Sequence, residues 1–99
     1  MFVTTQPEAL TAAAAGLQGI GTSVVAGNAA ALAPTTAPLS PAPTDPVSDL
    51  LEAFFVAHAA TYQAFAAEAA AIHELFVTTM GVSSGSYAAT EGFNALAVL

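Results

Sequence analysis

A chain of 99 residues with no lysine, arginine or cysteine and a formal charge of −7 makes at most one small acidic domain. Without cations it cannot make the phosphate contacts on which nucleic-acid binding rests, nor be drawn to anionic lipid headgroups. Without thiols it has no disulfide staple and no thiolate metal site, and the redox compartment stays undetermined.

The chain opens with a short extended piece, Phe2-Val3-Thr4. A Sec-type leader needs a basic start and a compact apolar run, and residues 1–7 offer neither, so export, if it occurs, is expected by another route. Thr5 and Glu8 are spaced as a capping box, with Thr5 set to accept from a first-turn N–H and Glu8 to reach back. Pro7 sits where its missing donor costs little. A first helix is then predicted over about residues 6–33, carrying Leu10, Ala13, Ala14, Leu17, Ile20, Gly21, Val24, Asn28, Ala31 and Leu32 on one face. Leu10, Leu17, Val24 and Ala31 form a sevenfold repeat suited to packing along another long helix. Gly16, Gly19, Gly21 and Gly27 make its intrinsic propensity poor, so packing must hold it, and they would let a partner backbone approach closely. Asn28 either fixes register or partner choice through a hydrogen bond or faces water. No charge lies between Glu8 and Asp45, yet the stretch contains Gln18 and Asn28 and lacks flanking anchors, which favours a helix buried in protein over a membrane span.

Pro34, Pro38, Pro41, Pro43 and Pro46 define a stiff connector over 34–45, short enough to fold the helices back antiparallel. Asp45 and Pro46 read as N-cap and first helical residue of a second helix over about 46–80, with Asp49 and Glu52 near its start. Val47, Leu51, Phe54, Phe55, His58, Tyr62, Phe65, Ala69, Ile72, Phe76 and Met80 fall within an arc of about 100° on this helix, while Asp49, Glu52, Gln63, Glu74 and several alanines occupy the opposite side. Gly81 is the expected C-cap. Residues 82–86 read as a flexible hinge, and 81–99 as a flexible tail in which Tyr87 and Glu91 share a face wherever it is helical.

The fold class is therefore all-α, an antiparallel two-helix hairpin whose apolar surface exceeds what two helices hide in each other. Each buried Phe, Leu or Ile contributes roughly 1.5–3 kcal/mol, so leaving several wet removes much of a small domain's margin, and a partner is expected. The core and interface stripe comprises Leu51, Phe54, Phe55, Tyr62, Phe65, Ile72, Phe76 and Met80, with Leu10, Leu17, Ile20 and Val24 opposite. Periodicity does not decide which of them meet the partner and which the sister helix.

Catalysis finds no support in the spacing. His58, Tyr62, Glu68, His73 and Glu74 ionise, but Glu68 and His73 are five apart and His73 and Glu74 adjacent, unlike the Glu-x-x-His repeats of di-metal bundles. There is no nucleophile elbow, phosphate loop or His-Glu-x-x-His. No catalytic residue, metal, cofactor or small-molecule substrate is expected. His58 reads as a core or interface histidine with one hydrogen-bond partner, and His73 as a stripe-edge residue.

The opening Phe-Val-Thr-Thr-Gln-Pro-Glu with Pro7 and Glu8, the Ala-rich first helix, residues 71–77 (Ala-Ile-His-Glu-Leu-Phe-Val) and residues 83–91 (Ser-Ser-Gly-Ser-Tyr-Ala-Ala-Thr-Glu) together resemble the PE domain of mycobacterial PE proteins. The resemblance covers essentially the whole chain. The family usually has a Ser between the initiator Met and the Phe, absent here. Neither a Gly-rich repeat region nor a catalytic domain follows, as expected of the short, domain-only kind. The resemblance implies a heterodimer with a PPE protein, the hairpin forming half of a four-helix bundle. It further implies export by a type VII (ESX) secretion system, with a cytosolic chaperone that contacts the PPE member, to the cell surface or beyond. It assigns Tyr87 and Glu91 as the Tyr-x-x-x-Asp/Glu export signal, beside a Trp-x-Gly turn of the partner, and makes Pro7 and Glu8 the family signature, with Thr5 in the cap. The alternative is a self-associating or membrane-interacting helical bundle, to which a homodimer would equally conform.

Overall fold

The computed structural model describes residues 3–99. Phe2, part of the extended opening, lies outside the described residues. Among those described, regular structure is confined to two helices, α1 (Pro7–Thr36) and α2 (Pro46–Ala97).

Helix α1 starts where Pro7 allows. The Gln6 carbonyl accepts from the N–H groups of Ala9 and Leu10 at 3.0 and 3.3 Å. Gln6 therefore stands at the N-cap and Pro7 at the first helical position, where no intrahelical N–H is lost. This start displaces the expected capping box. Thr5 now precedes the N-cap, and its Oγ1 donates to Glu91 Oε1 at 3.1 Å instead. At the other end α1 passes through Pro34, beyond the predicted stop at Ala33, to Thr36. Pro34 removes the bond an N–H there would make to the Ala30 carbonyl, while in the same turn Thr35 Oγ1 donates to Ala31 O and Thr36 Oγ1 to Leu32 O, both at 2.6 Å.

The connector is accordingly shorter, residues 37–45, and Leu39 N–H donates to Glu52 Oε1 at 2.7 Å within it. Asp45 caps α2: its Oδ1 accepts from Ser48 N–H at 2.9 Å and its carbonyl from Asp49 N–H at 3.1 Å. The Ser48 N–H, followed by the Ser48 hydroxyl and Val47 N–H, holds the Asp45 carboxyl below its ordinary range.

The largest departure from expectation is the length of α2. It does not end at Met80 but continues to Ala97, so the predicted hinge and flexible tail are helical. No glycine adopts a positive φ among the described residues, and Gly81 is an interior helical residue rather than a C-cap. Three glycines and three serines over 81–92 make this stretch roughly 4 kcal/mol less helix-prone than alanine, which is why it reads as a hinge. The stretch is helical nonetheless, although within it only Ser83 and Ser84 are half-buried or buried.

The chain divides into two units. One comprises the chain up to Gly21 together with Ile72–Leu99, the other Thr22–Ala71. In the first, the helices run antiparallel, with Pro7, Leu10, Leu17 and Gly21 half-buried and Ala14 buried on α1, and His73, Val77, Met80 and Ser84 buried or half-buried on α2. Gln18 Nε2 donates to Glu74 Oε1 at 2.9 Å, and His73 Nε2 to the Leu17 carbonyl at 2.6 Å. In the second, also antiparallel, Asn28 and Ala31 are half-buried with Val56, Ala59, Gln63, Ala66 and Ala70. Tyr62 Oη donates to Asn28 Oδ1 at 2.8 Å and Gln63 Nε2 to the Asn28 carbonyl at 2.9 Å. Asn28 is thus hydrogen-bonded to α2 rather than turned to water.

Spacings of three and four residues on both helices give these seams an average repeat of 3.5, that of knobs-into-holes packing. Alanines and polar side chains dominate them, with Leu10, Leu17, Val56, Val77 and Met80 as the larger apolar members. The one buried hydrophobic residue described is Ala14, at 8 % exposure, and no described side chain is fully buried.

Candidate partner-binding surface

On α2 the seam residues lie about 100° around the helix from the centre of the aromatic stripe. Glu52 and Gln63, which periodicity placed on the outer side, therefore flank or enter the seam; the phenylalanines do not, and of the aromatic stripe Tyr62 reaches across with its hydroxyl to Asn28. The reason is steric: alanines admit the close approach that brings Gln63 to the Asn28 backbone, and Phe rings would prevent it. Within Thr22–Ala71, Leu51, Phe54, Phe55, Tyr62 and Phe65 remain exposed, the three phenylalanines at 65–66 %. Val24 is exposed on α1. Within the other unit, Ile72 is 69 % and Phe76 53 % exposed, and Ile20 is exposed on α1. Of the expected interface residues, Leu10, Leu17 and Met80 alone are half-buried and contribute to the seam with the sister helix, which the exposed Tyr62 touches through its hydroxyl.

The histidines differ in burial, and the core role expected of His58 as one alternative is not seen. His58 is exposed on the stripe side, whereas His73 is half-buried and bonded to the Leu17 carbonyl. Its ring lies over Gly21, where a Cβ would stand 2.7 Å from His73 Cδ2 and 2.8 Å from Nε2. Gly21 is thus a close-approach residue. Gly16, Gly19 and Gly27 have nothing within 4 Å of a Cβ.

Among the described residues no group of three or more His, Cys, Asp or Glu side chains converges to hold a metal. A shallow groove of about 270 Å³ in Thr22–Ala71, on the flank opposite the aromatic stripe, includes Val25, Leu32 and Ala67, and none of its lining residues ionises. It offers no acid, base or nucleophile. The apolar face within Thr22–Ala71 offers something different: burying the exposed two-thirds of Phe54, Phe55 and Phe65 would contribute roughly 3–6 kcal/mol, a large share of a small domain's stability.

Tyr87 and Glu91 stand one turn apart on the same side of α2. Tyr87 follows Phe76 by eleven residues, a rotation of about 20° and a rise of about 16 Å, so it continues the apolar face of its unit. Glu91 accepts from Thr5, as described. Pro7, half-buried at the first helical position, offers its carbonyl to Ser84 Oγ at 2.7 Å and to Thr11 Oγ1 at 3.2 Å. Glu8 is exposed in the first turn, where a carboxylate complements the helix dipole. Sequence reasoning missed Ser84 and Thr11. Ser84 falls seven residues after Val77, Val77 seven after Ala70, and Ala70 seven after Gln63, a repeat hidden by the louder aromatic pattern.

The family model described as the PE family matches residues 3–94. Over 96 residues the chain is 57% identical to PE family protein PE13 of Mycobacterium tuberculosis, covering 97% of this chain and 96% of that protein. It is 52% identical over 96 residues to PE family protein PE8 of the same species, covering 97% of this chain and 34% of PE8. To PE-PGRS family protein PE_PGRS33, again of that species, it is 49% identical over 94 residues, covering 95% of this chain and 19% of the relative. The chain thus spans nearly all of the first relative, a third of the second and a fifth of the third. An antiparallel helical pair, opened by Pro7-Glu8 and matched from residue 3 to residue 94, belongs to the PE family.

Proposed function

We propose that this PE protein is a non-enzymatic subunit that pairs with a PPE protein through the aromatic face of α2, half of a four-helix bundle completed by two PPE helices. The pair assembles in the cytoplasm, where a chaperone contacts the PPE member, and leaves through a type VII (ESX) secretion system for the cell surface or the medium. Tyr87 and Glu91 are its export signal. One observation carries this reading. The hairpin fills its seam mostly with alanines and polar residues and leaves Phe54, Phe55, Phe65, Ile72 and Phe76 more than half exposed, the profile of a core cut in half. Tyr87, at 47 % exposure, sits where a helix lying on Phe76 would meet it.

The test is co-expression with the amino-terminal domain of a PPE protein from a neighbouring reading frame. A soluble one-to-one complex, with the lone chain aggregated or poorly helical, supports the pairing. A stable helical monomer or homodimer that ignores such domains overturns it. A second reading, self-association or contact with lipid, has one observation in its favour: α1 is 30 residues long with a stretch of mean hydropathy 1.4, enough by length and composition to cross a bilayer. Binding of the purified chain to neutral phosphatidylcholine vesicles would support it; a soluble hetero-pair that ignores them would not.

A further inference from the structure

We infer that the start of the chain is a clasp for the export signal, with Thr5 and Ser84 as its positioning residues. The inference rests on the reading of Tyr87 and Glu91 given above. Residues 81–92 carry three glycines and three serines, yet they are helical. Their own hydroxyls do little to explain this, since Ser83 and Thr90 only bond back to the carbonyls of Thr79 and Ser86.

Two ties to the opening residues supply what the local sequence lacks. The first is a node of three oxygens. Ser84 Oγ lies 2.7 Å from the Pro7 carbonyl, Thr11 Oγ1 3.2 Å from the same carbonyl, and the two hydroxyls 2.8 Å apart. Two protons serve these three contacts, so each hydroxyl donates once whichever arrangement is taken. Ser84 is 5 % exposed, and a hydroxyl so buried holds its bond against water. The second tie is Thr5 Oγ1 donating to the Glu91 carboxylate at 3.1 Å. Ser84 precedes Tyr87 by less than a turn, and Thr5 touches Glu91 itself, so the ties bracket the signal. They fix the i,i+4 presentation of Tyr87 and Glu91, which a disordered tail would lose. The N-terminal Thr5-Gln6-Pro7 and the C-terminal Tyr-x-x-x-Glu are then one physical unit.

The test uses the full chain co-expressed with a PPE amino-terminal domain, carrying Thr5→Val, Ser84→Ala or both, with Tyr87→Ala as control. Two readouts are needed: amide exchange over residues 82–94 in the purified complex, and the amount of the pair reaching the culture filtrate of a mycobacterial host. Thr5→Val and Ser84→Ala should each speed exchange about three- to tenfold. Each should lower export several-fold while the complex still forms, and Thr5→Ser should restore both. Should Ser84→Ala fail to fold, Thr5→Val, altered at a surface contact, still decides the matter. Wild-type exchange and export in Thr5→Val, with Tyr87→Ala blocked, overturns the clasp and leaves the signal standing. Faster exchange with undiminished export also overturns the positioning role. Normal export of Tyr87→Ala removes the signal reading itself, and the clasp with it.

Discussion

Replacing Gly21 by alanine sets two well-calibrated effects against each other at one atom. In an exposed helix interior the change stabilises by up to about 1 kcal/mol, because alanine is the better helix former. At Gly21 the new methyl would stand 2.7 and 2.8 Å from two ring atoms of His73, about 1 Å inside ordinary contact. The imidazole is bonded to the Leu17 carbonyl at 2.6 Å, so moving it aside by that distance breaks the bond. The loss is about 0.5–1.5 kcal/mol for the hydrogen bond and about 1–3 kcal/mol for overpacking a seam built on small residues. The net expectation is a destabilisation of about 1–3 kcal/mol. Gly85→Ala is the control, because nothing lies within 4 Å of a Cβ there and the residue is turned away from the aromatic stripe. Urea unfolding of the co-purified complex at one fixed concentration measures both variants. His73→Ala added to Gly21→Ala should recover at least 1 kcal/mol, through a coupling confined to the pair. If Gly21→Ala raises the urea midpoint as Gly85→Ala does, the close approach of the helices at this level is wrong.

Phe65→Ala and Phe76→Ala should each weaken the PPE complex at least tenfold in a titration, about 1.4 kcal/mol or more, while leaving the hairpin's own seam untouched; affinity within twofold of wild type would remove the stripe from the interface. Tyr62→Phe removes the donor to Asn28 Oδ1 and should cost about 0.5–1.5 kcal/mol in urea unfolding, and an unchanged midpoint would show that this bond does not hold register. For Asp45 the folded carboxyl sits below its ordinary value of 3.8 because Ser48 N–H bonds the charged form. A depressed folded value means that its stabilisation is present above pH 3.8 and is lost as pH falls through the lower folded value. Asp45→Asn should keep most of the cap and abolish that acid dependence, whereas Asp45→Ala should lose both; helicity followed from pH 6 to pH 2 distinguishes them.

Much of the architecture was legible in the residues themselves. Prolines at 7 and 46 mark first helical positions, a proline-rich connector turns the chain, and the aromatic periodicity announces a face too apolar for water. These are local properties, set by which dihedrals and donors each residue has. Where α2 ends was not local. Glycine and serine over 81–92 weigh against helix, and the Ser84 node with Pro7 and Thr11 depends on residues 77 and 73 positions away in the chain. Likewise, periodicity found the bulky stripe but could not tell which flank the sister helix would take. That was decided by fit. Ala59, Ala66 and Ala70 let two backbones come close enough for Gln63 to reach the Asn28 carbonyl, and Gly21 leaves room for His73, while the phenylalanines are too large for so narrow a seam and are left facing outward.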